Sequence, residues 1–180
     1  MIKITYFVHG TTIDNELGLA SGWDDVELSD LGVNQAKQLG QQIKTKKFDA
    51  IFCSDLKRSI DSAKLAFGKQ TKIIVDRRLR EANYGEFTKL PADRFKNRLT
   101  DYLDKPFPGG ESYLNVEQRL TAFLEYLKTQ YDRKHIAIVA HQAPQLALEV
   151  LLNGKTWPQA INQDWRKTKG WQPGWDYILV

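Results

Sequence analysis

Short runs of β-branched and aromatic residues, alternating with segments of helical spacing, constrain this chain more than any other feature. "IKITYFV" (2–8), "AIFCS" (50–54), "KIIV" (72–75) and "HIAIVA" (135–140) read as strands, each followed by a polar loop. "DYILV" (176–180) adds a candidate edge strand. Between them, Val33, Ala36, Leu39 and Ile43 recur at helical spacing from Ser29 to about Lys44. Leu56, Ile60, Ala63 and Phe67 do the same from Ser54 or Asp55 to a stop at Gly68. Residues 112–131 carry Val116, Leu120, Phe123, Leu124 and Leu127 behind a Ser112 cap, and "PQLALEVLLNG" (144–154) ends at Gly154. Strands alternating with helices predict an α/β fold: three layers, α/β/α, with a mostly parallel central sheet.

The length of 180 residues suits one domain, and no repeat, low-complexity tract or linker divides it. Residues 80–112 break the alternation with one amphipathic helix (about 91–103) and a Pro- and Gly-rich turn, a short cap insertion over the site. The single cysteine, Cys53, excludes an internal disulfide, fits a reducing compartment and reads as a small buried strand residue. No apolar stretch approaches the ~20 residues that span a bilayer. The N-terminus lacks a long apolar region and a cleavage site, so a cytoplasmic location without membrane contact is expected. The net charge of +4 suits an anionic ligand. Lysines and arginines are nevertheless dispersed among acids, and "KTKK" ends a helix, so no nucleic-acid partner is expected.

In such sheets ligands bind beyond the carboxyl ends of the strands. Three segments arrive there: His9-Gly10, Ser54 to Arg58, and His141-Gln142. Arg58 falls in the first turn of a helix, where backbone N–H groups already favour anions, and Glu81 opens the cap insertion. An imidazole nucleophile, a second imidazole, a guanidinium and a carboxyl group form a set for phosphoryl transfer that calls for no metal. No histidine spacing suggests zinc, and there is neither a P-loop nor a GxGxxG after a strand. His135, at a strand start after Lys134, reads as a surface residue.

The spaced motifs resemble the histidine phosphatase superfamily in its phosphoglycerate mutase-like branch, over roughly residues 3–150. "VHGTTIDN" is similar to the family's opening R-H-G-E-T-x-x-N loop, and "SGWDDVELSDLGVNQAKQLG" to the segment that follows it. "CSDLKRSIDSA" resembles the stretch with the phosphate-binding arginine, "LREANYGEF" the one with the acid, and "IVAHQ" the one with the second histidine. The resemblance implies a phosphatase acting on a small phosphorylated substrate through a phosphohistidine on His9, without metal or other cofactor. Glu81 would be the proton donor and then the base, with Arg58 and His141 holding the phosphoryl oxygens. Gly10, Asn15, Ser21, Gly22 and Gln142 would shape the pocket, with Tyr84 at its mouth.

Three positions depart from that pattern. Val8 stands where the first arginine is expected, Thr11 where a glutamate is, and Gln142 where a glycine is. Losing a charged donor from a transferring phosphoryl group costs roughly 10²–10³ in rate. The expectation is therefore a modified but active hydrolase of reduced rate, with the Gln142 amide, Lys57 or Arg80 supplying the missing donor. The alternatives are phosphoglycerate-mutase-type phosphotransfer, or a weakened protein that only binds a phosphorylated ligand. The short cap argues for an open site and hydrolysis; its Lys89, Arg94, Lys96 and Arg98 read first as a solvated face, second as greeting an anion. The tail from Lys155 holds Trp157, Trp165, Trp171 and Trp175, which suits packing across the sheet edge, a homo-oligomer contact or a substrate cover.

Overall fold

A computed structural model of the chain describes residues 1–68, 72–168 and 174–180. Along the chain run β1 (Ile2–Val8), α1 (Ile13–Glu16), α2 (Asp30–Ile43), β2 (Ala50–Cys53), α3 (Lys57–Phe67) and β3 (Ile73–Val75). Then come α4 (Asp93–Lys96), α5 (Tyr113–Gln130), β4 (His135–Ala140), α6 (Gln142–Asn153), α7 (Trp157–Asn162), α8 (Trp165–Thr168) and β5 (Trp175–Leu179). The strand order is β3-β2-β4-β1-β5. All neighbours are parallel except β5, which runs antiparallel along β1 as the edge strand.

Alternation along the strands assigns the two faces. Ile2, Ile4, Tyr6, Phe52, Ile136 and Ile138 pack under α5 and α6 in the larger core. Phe7, Ile51, Cys53, Ala137 and Val139 pack under α2 and α3 in the smaller one. The result is the expected three-layer fold. Cys53 is wholly buried, and burial pushes its thiol up to about 12.

Local chemistry sets the helix ends. The Ser29 hydroxyl accepts the Gly32 N–H at the start of α2, and Ser112 forms a capping box with Asn115 at the start of α5. Gly68, at φ +86°, stops α3. The helix expected over 91–103 is not continuous. One turn of α4 is followed by a 3-10 turn at Leu99–Tyr102, with Arg98 out of helical geometry between them. Aromatic packing overrides propensity here: Phe95 is gripped by Tyr84, Phe87 and Phe107. His135 is half-buried rather than a free surface residue; it pairs with the Thr5 hydroxyl at 2.9 Å and packs on Phe48.

Strand order places the site. Because β4 lies beside β1 with Val8 opposite Ala140, the residues that leave the two strands, His9 and His141, emerge side by side. On the other flank of β4, Cys53 sits opposite Val139, so the loop after β2 delivers Ser54 to the same edge.

Candidate active site

His9 follows β1 and donates its N–H to the Ala140 carbonyl at 3.0 Å. The loop beyond it is clamped to two helices. The Gly10 N–H donates to Ser62 Oγ on α3 at 3.0 Å, and the Thr11 N–H to Gln35 Oε1 on α2 at 2.8 Å. The loop approaches α2 so closely that a Cβ on Gly32 would lie 1.9 Å from the Thr11 carbonyl oxygen. His9 Nδ1 lies 2.7 Å from the Gly10 carbonyl, which can only accept, so Nδ1 carries the hydrogen and Nε2 keeps a free lone pair. Burial, aided by the positive charge of Arg58, holds the His9 pKa down at about 3. At neutral pH the ring is therefore unprotonated.

The His141 ring lies against that of His9, with centroids 5.0 Å apart. Tyr6 fixes its backbone, its hydroxyl donating to the His141 carbonyl at 2.7 Å and accepting the His141 N–H at 2.8 Å. Ser54 Oγ accepts the Leu56 N–H, and its hydroxyl hydrogen, which has no other acceptor among the described residues, is assigned to His141 Nε2, 2.6 Å away. The neutral imidazole therefore carries its hydrogen on Nδ1, an atom shielded from solvent and without a hydrogen-bond partner among the described residues. Burial, reinforced by Arg58, keeps the His141 pKa well below its ordinary value.

Arg58, in the first turn of α3, is 2% exposed. Nη1 donates to the Asp24 carbonyl at 2.9 Å and Nη2 to the Gly22 carbonyl at 2.7 Å. These bonds use two of the five guanidinium N–H groups. Gly22 is at φ +50°, which lets its carbonyl turn inward, and Ser21 braces the same loop by donating to Asp14. Glu81 sits at the open end of α6, where the Gln142 and Ala143 N–H groups donate to its two oxygens at 3.2 and 3.0 Å. Trp23 and Arg119 hold its backbone carbonyl, and Glu111 in turn holds Arg119.

His9, Arg58 and Glu81 line a pair of adjoining cavities, an outer and an inner lobe, and His141 lines neither. The outer lobe, about 300 Å³, is bounded by Val8, Gly10, Gln142, Trp165 and Arg166; the inner, about 90 Å³, by Ser21, Gly22, Arg58 and Tyr84. His9, Asn15, Glu81 and Lys96 border both.

Several sequence expectations about this site need correction. The Gln142 amide is partly committed: Nε2 donates in a short bond to Asp164 Oδ2 and Oε1 accepts from Lys96 at 2.7 Å, which leaves one amide N–H over. Lys57 points to solvent and pairs with Asp61, and Arg80 is held by Asp55 in a bidentate pair against the Trp23 ring. Neither faces the cavity. Tyr84 is 1% exposed, beneath the cavity rather than at its mouth, with Lys96 over its ring and donating to its hydroxyl. Lys89 bridges Asp14 and Asp24, and Arg94 and Arg98 are exposed. Lys96 is the exception on the cap, drawn inward, its pKa lowered by desolvation. In the tail, Trp157 packs on Tyr113, Trp175 on Tyr6, and Trp165 lines the outer lobe; Trp171 lies outside the described residues.

A neutral imidazole with a free Nε2, a buried guanidinium and a carboxyl group around one small cavity can run phosphoryl transfer. The sequence profile of the histidine phosphatase superfamily (branch 1) matches residues 6–168. The chain belongs to that superfamily. It is 27% identical over 163 residues to phosphoserine phosphatase 1 of Hydrogenobacter thermophilus, covering 86% of this chain and 77% of the relative. It is 32% identical over 147 residues to a 2,3-bisphosphoglycerate-dependent phosphoglycerate mutase of Cytophaga hutchinsonii, covering 74% and 68%. Among solved structures, a mycobacterial glucosyl-3-phosphoglycerate phosphatase in complex with VO3 superposes with a TM-score of 0.77 at 28% identity, covering 89% and 86%. Membership brings phosphatase or phosphotransfer chemistry through a histidine, on the phosphoglycerate mutase-like fold.

Proposed function

We propose that the chain hydrolyses a small phosphate monoester, without a metal, through a phosphohistidine on His9. The observation that carries the reading is the His9 ring itself, held neutral with Nδ1 on the Gly10 carbonyl and Nε2 free at a cavity shared with Glu81. Nε2 attacks phosphorus, the ester P–O bond breaks, and the departing alkoxide takes a proton from the Glu81 carboxyl group. The Glu81 carboxylate then takes a proton from water, whose oxygen attacks phosphorus. The P–N bond breaks, its electron pair returns to Nε2, and phosphate leaves. Glu81 Oε1 accepts two backbone N–H bonds and Oε2 one, so Oε2 has the freer lone pair to carry the proton.

Arg58 and the Nδ1–H of His141 stabilise the equatorial oxygens of the transferring group. Charge compensation in this reading comes from the chain's own side chains. The cap offers only one-turn helical pieces over the cavity, which suits admitting water more than sealing it out.

Metal-free hydrolysis of an aryl phosphate in excess chelator, by wild type and His9→Ala, tests this reading. Wild type should turn over and form an acid-labile phosphoryl adduct, and His9→Ala should lose activity by about 10³-fold or more. Turnover that survives His9→Ala, or that depends on an added divalent cation, rules the mechanism out.

A further inference from the structure

We propose that Arg166, on α8, is a second guanidinium for the transferring phosphoryl group, meeting it from the outer lobe while Arg58 meets it from the inner one. The proposal rests on the phosphohistidine reading above. A phosphoryl group in flight spreads its charge over three equatorial oxygens. Arg58 and His141 Nδ1 supply donors near His9, but the outer-lobe wall at the end of β1 is the apolar side chain of Val8. Among the described residues two cations border that lobe, Lys96 and Arg166. Lys96 Nζ is engaged twice, by the Tyr84 hydroxyl and the Gln142 carbonyl, both at 2.7 Å.

Arg166 is held differently. Its Nη1 donates to Asp164 Oδ1 at 2.8 Å, and its guanidinium lies 4.7 Å from the centre of the Trp165 ring. Nη2 is shielded from solvent and has no hydrogen-bond partner among the described residues. A shielded guanidinium N–H without an acceptor is unfavourable until one arrives. His141 Nδ1, beside His9, is a second donor in the same condition. An anion at His9 Nε2 would satisfy both. Arg166 is braced: Asp164 is buried and also receives the Gln142 amide, so α8 is tied to the first residue of α6, next to His141. Gln142 and Asp164 are thereby positioning residues for Arg166. The positive charge of Arg166 is also among those that lower the proton affinity of His9.

Orthovanadate, which adopts the five-coordinate geometry of the transferring group, tests the assignment by calorimetry in chelator. Arg166→Met should weaken vanadate binding more than 10-fold and lower kcat on an aryl phosphate about 10²-fold, with KM little changed. Arg166→Lys should recover only part, because an ammonium lacks the planar fork. Val8→Arg, added to Arg166→Met, should restore vanadate binding by returning a guanidinium to the same wall. Vanadate binding and aryl phosphate turnover within twofold of wild type in Arg166→Met would overturn the proposal, leaving the arginine to a remote part of the substrate. A loss that tracks a lowered melting temperature and that Val8→Arg does not repair would overturn it too, as mere loosening of α8. Turnover that persists in His9→Ala strikes the phosphohistidine reading instead, and vanadate affinity, which needs no turnover, still decides the role of Arg166.

Discussion

At the residue scale the site depends on donors and lone pairs being left over. His9 spends Nδ1 on a backbone carbonyl and keeps Nε2, His141 spends Nε2 on Ser54 and keeps Nδ1, and Arg58 commits only part of its fork. Arg58→Lys should therefore lower kcat/KM on an aryl phosphate by about 10²-fold or more, since an ammonium cannot hold the Gly22 and Asp24 carbonyls and a phosphoryl oxygen together. The same variant should lose about 1–3 kcal/mol of unfolding free energy by leaving a buried carbonyl unpaired. Steady-state kinetics and urea unfolding check the two halves, and near-wild-type values in both would remove Arg58 from the phosphate site. His9, Arg58 and His141 were legible in the sequence because each follows a strand end or opens a helix, whereas Glu81 follows a 3-10 turn and was marked by its motif. Nothing set Lys96 apart from the other cap cations, and Arg166 was not singled out: "DRFKN" and "DWRKT" give one-turn helices, too short for periodicity to show which side faces inward. The one available cue was an arginine next to a tryptophan in a tail rich in tryptophan.

At the scale of elements, the alternation of strand and helix was readable because each core strand and long helix buries a regular apolar face. The cap was misread for the opposite reason. Phe95 and Leu99 keep a helical spacing, but the aromatic cluster of Tyr84, Phe87 and Phe107 fixes their positions, and the backbone between them gives way. Close packing of the His9 loop on α2 has a sharper consequence. Gly32→Ala would drive a methyl group into the Thr11 carbonyl, backbone against backbone, where no side-chain rotation relieves it. It should cost about 1–3 kcal/mol of stability and reduce kcat/KM at least 10-fold, because Gly10 and Thr11 carry His9. A variant that unfolds and turns over like wild type would mean that the loop moves independently of α2.

At the scale of the whole molecule, holding two imidazoles neutral links stability to pH. His9 titrates at about 3 rather than its ordinary 6.5, and His141 is also depressed. Below pH 6.5 the unfolded chain binds protons that the native chain refuses, so stability is full above that pH and declines as pH falls toward 3. The slope is up to about 1.4 kcal/mol per pH unit for each group. His9→Gln removes one contribution, so between pH 7 and 5 its unfolding free energy should fall by roughly 2 kcal/mol less than that of wild type. Parallel urea-unfolding profiles for the two proteins would show that His9 is not held neutral. The pairing of β1 with β4, which sets Lys3 opposite His135, adds a temporal consequence. While the chain is still being extended by the ribosome, His9 is already exposed, yet β4 and α8 do not exist. Its imidazole is then an ordinary solvated base with its usual proton affinity. On the proposed mechanism the site is complete only when β4 and α8, which follow β1 in the chain, have docked beside His9.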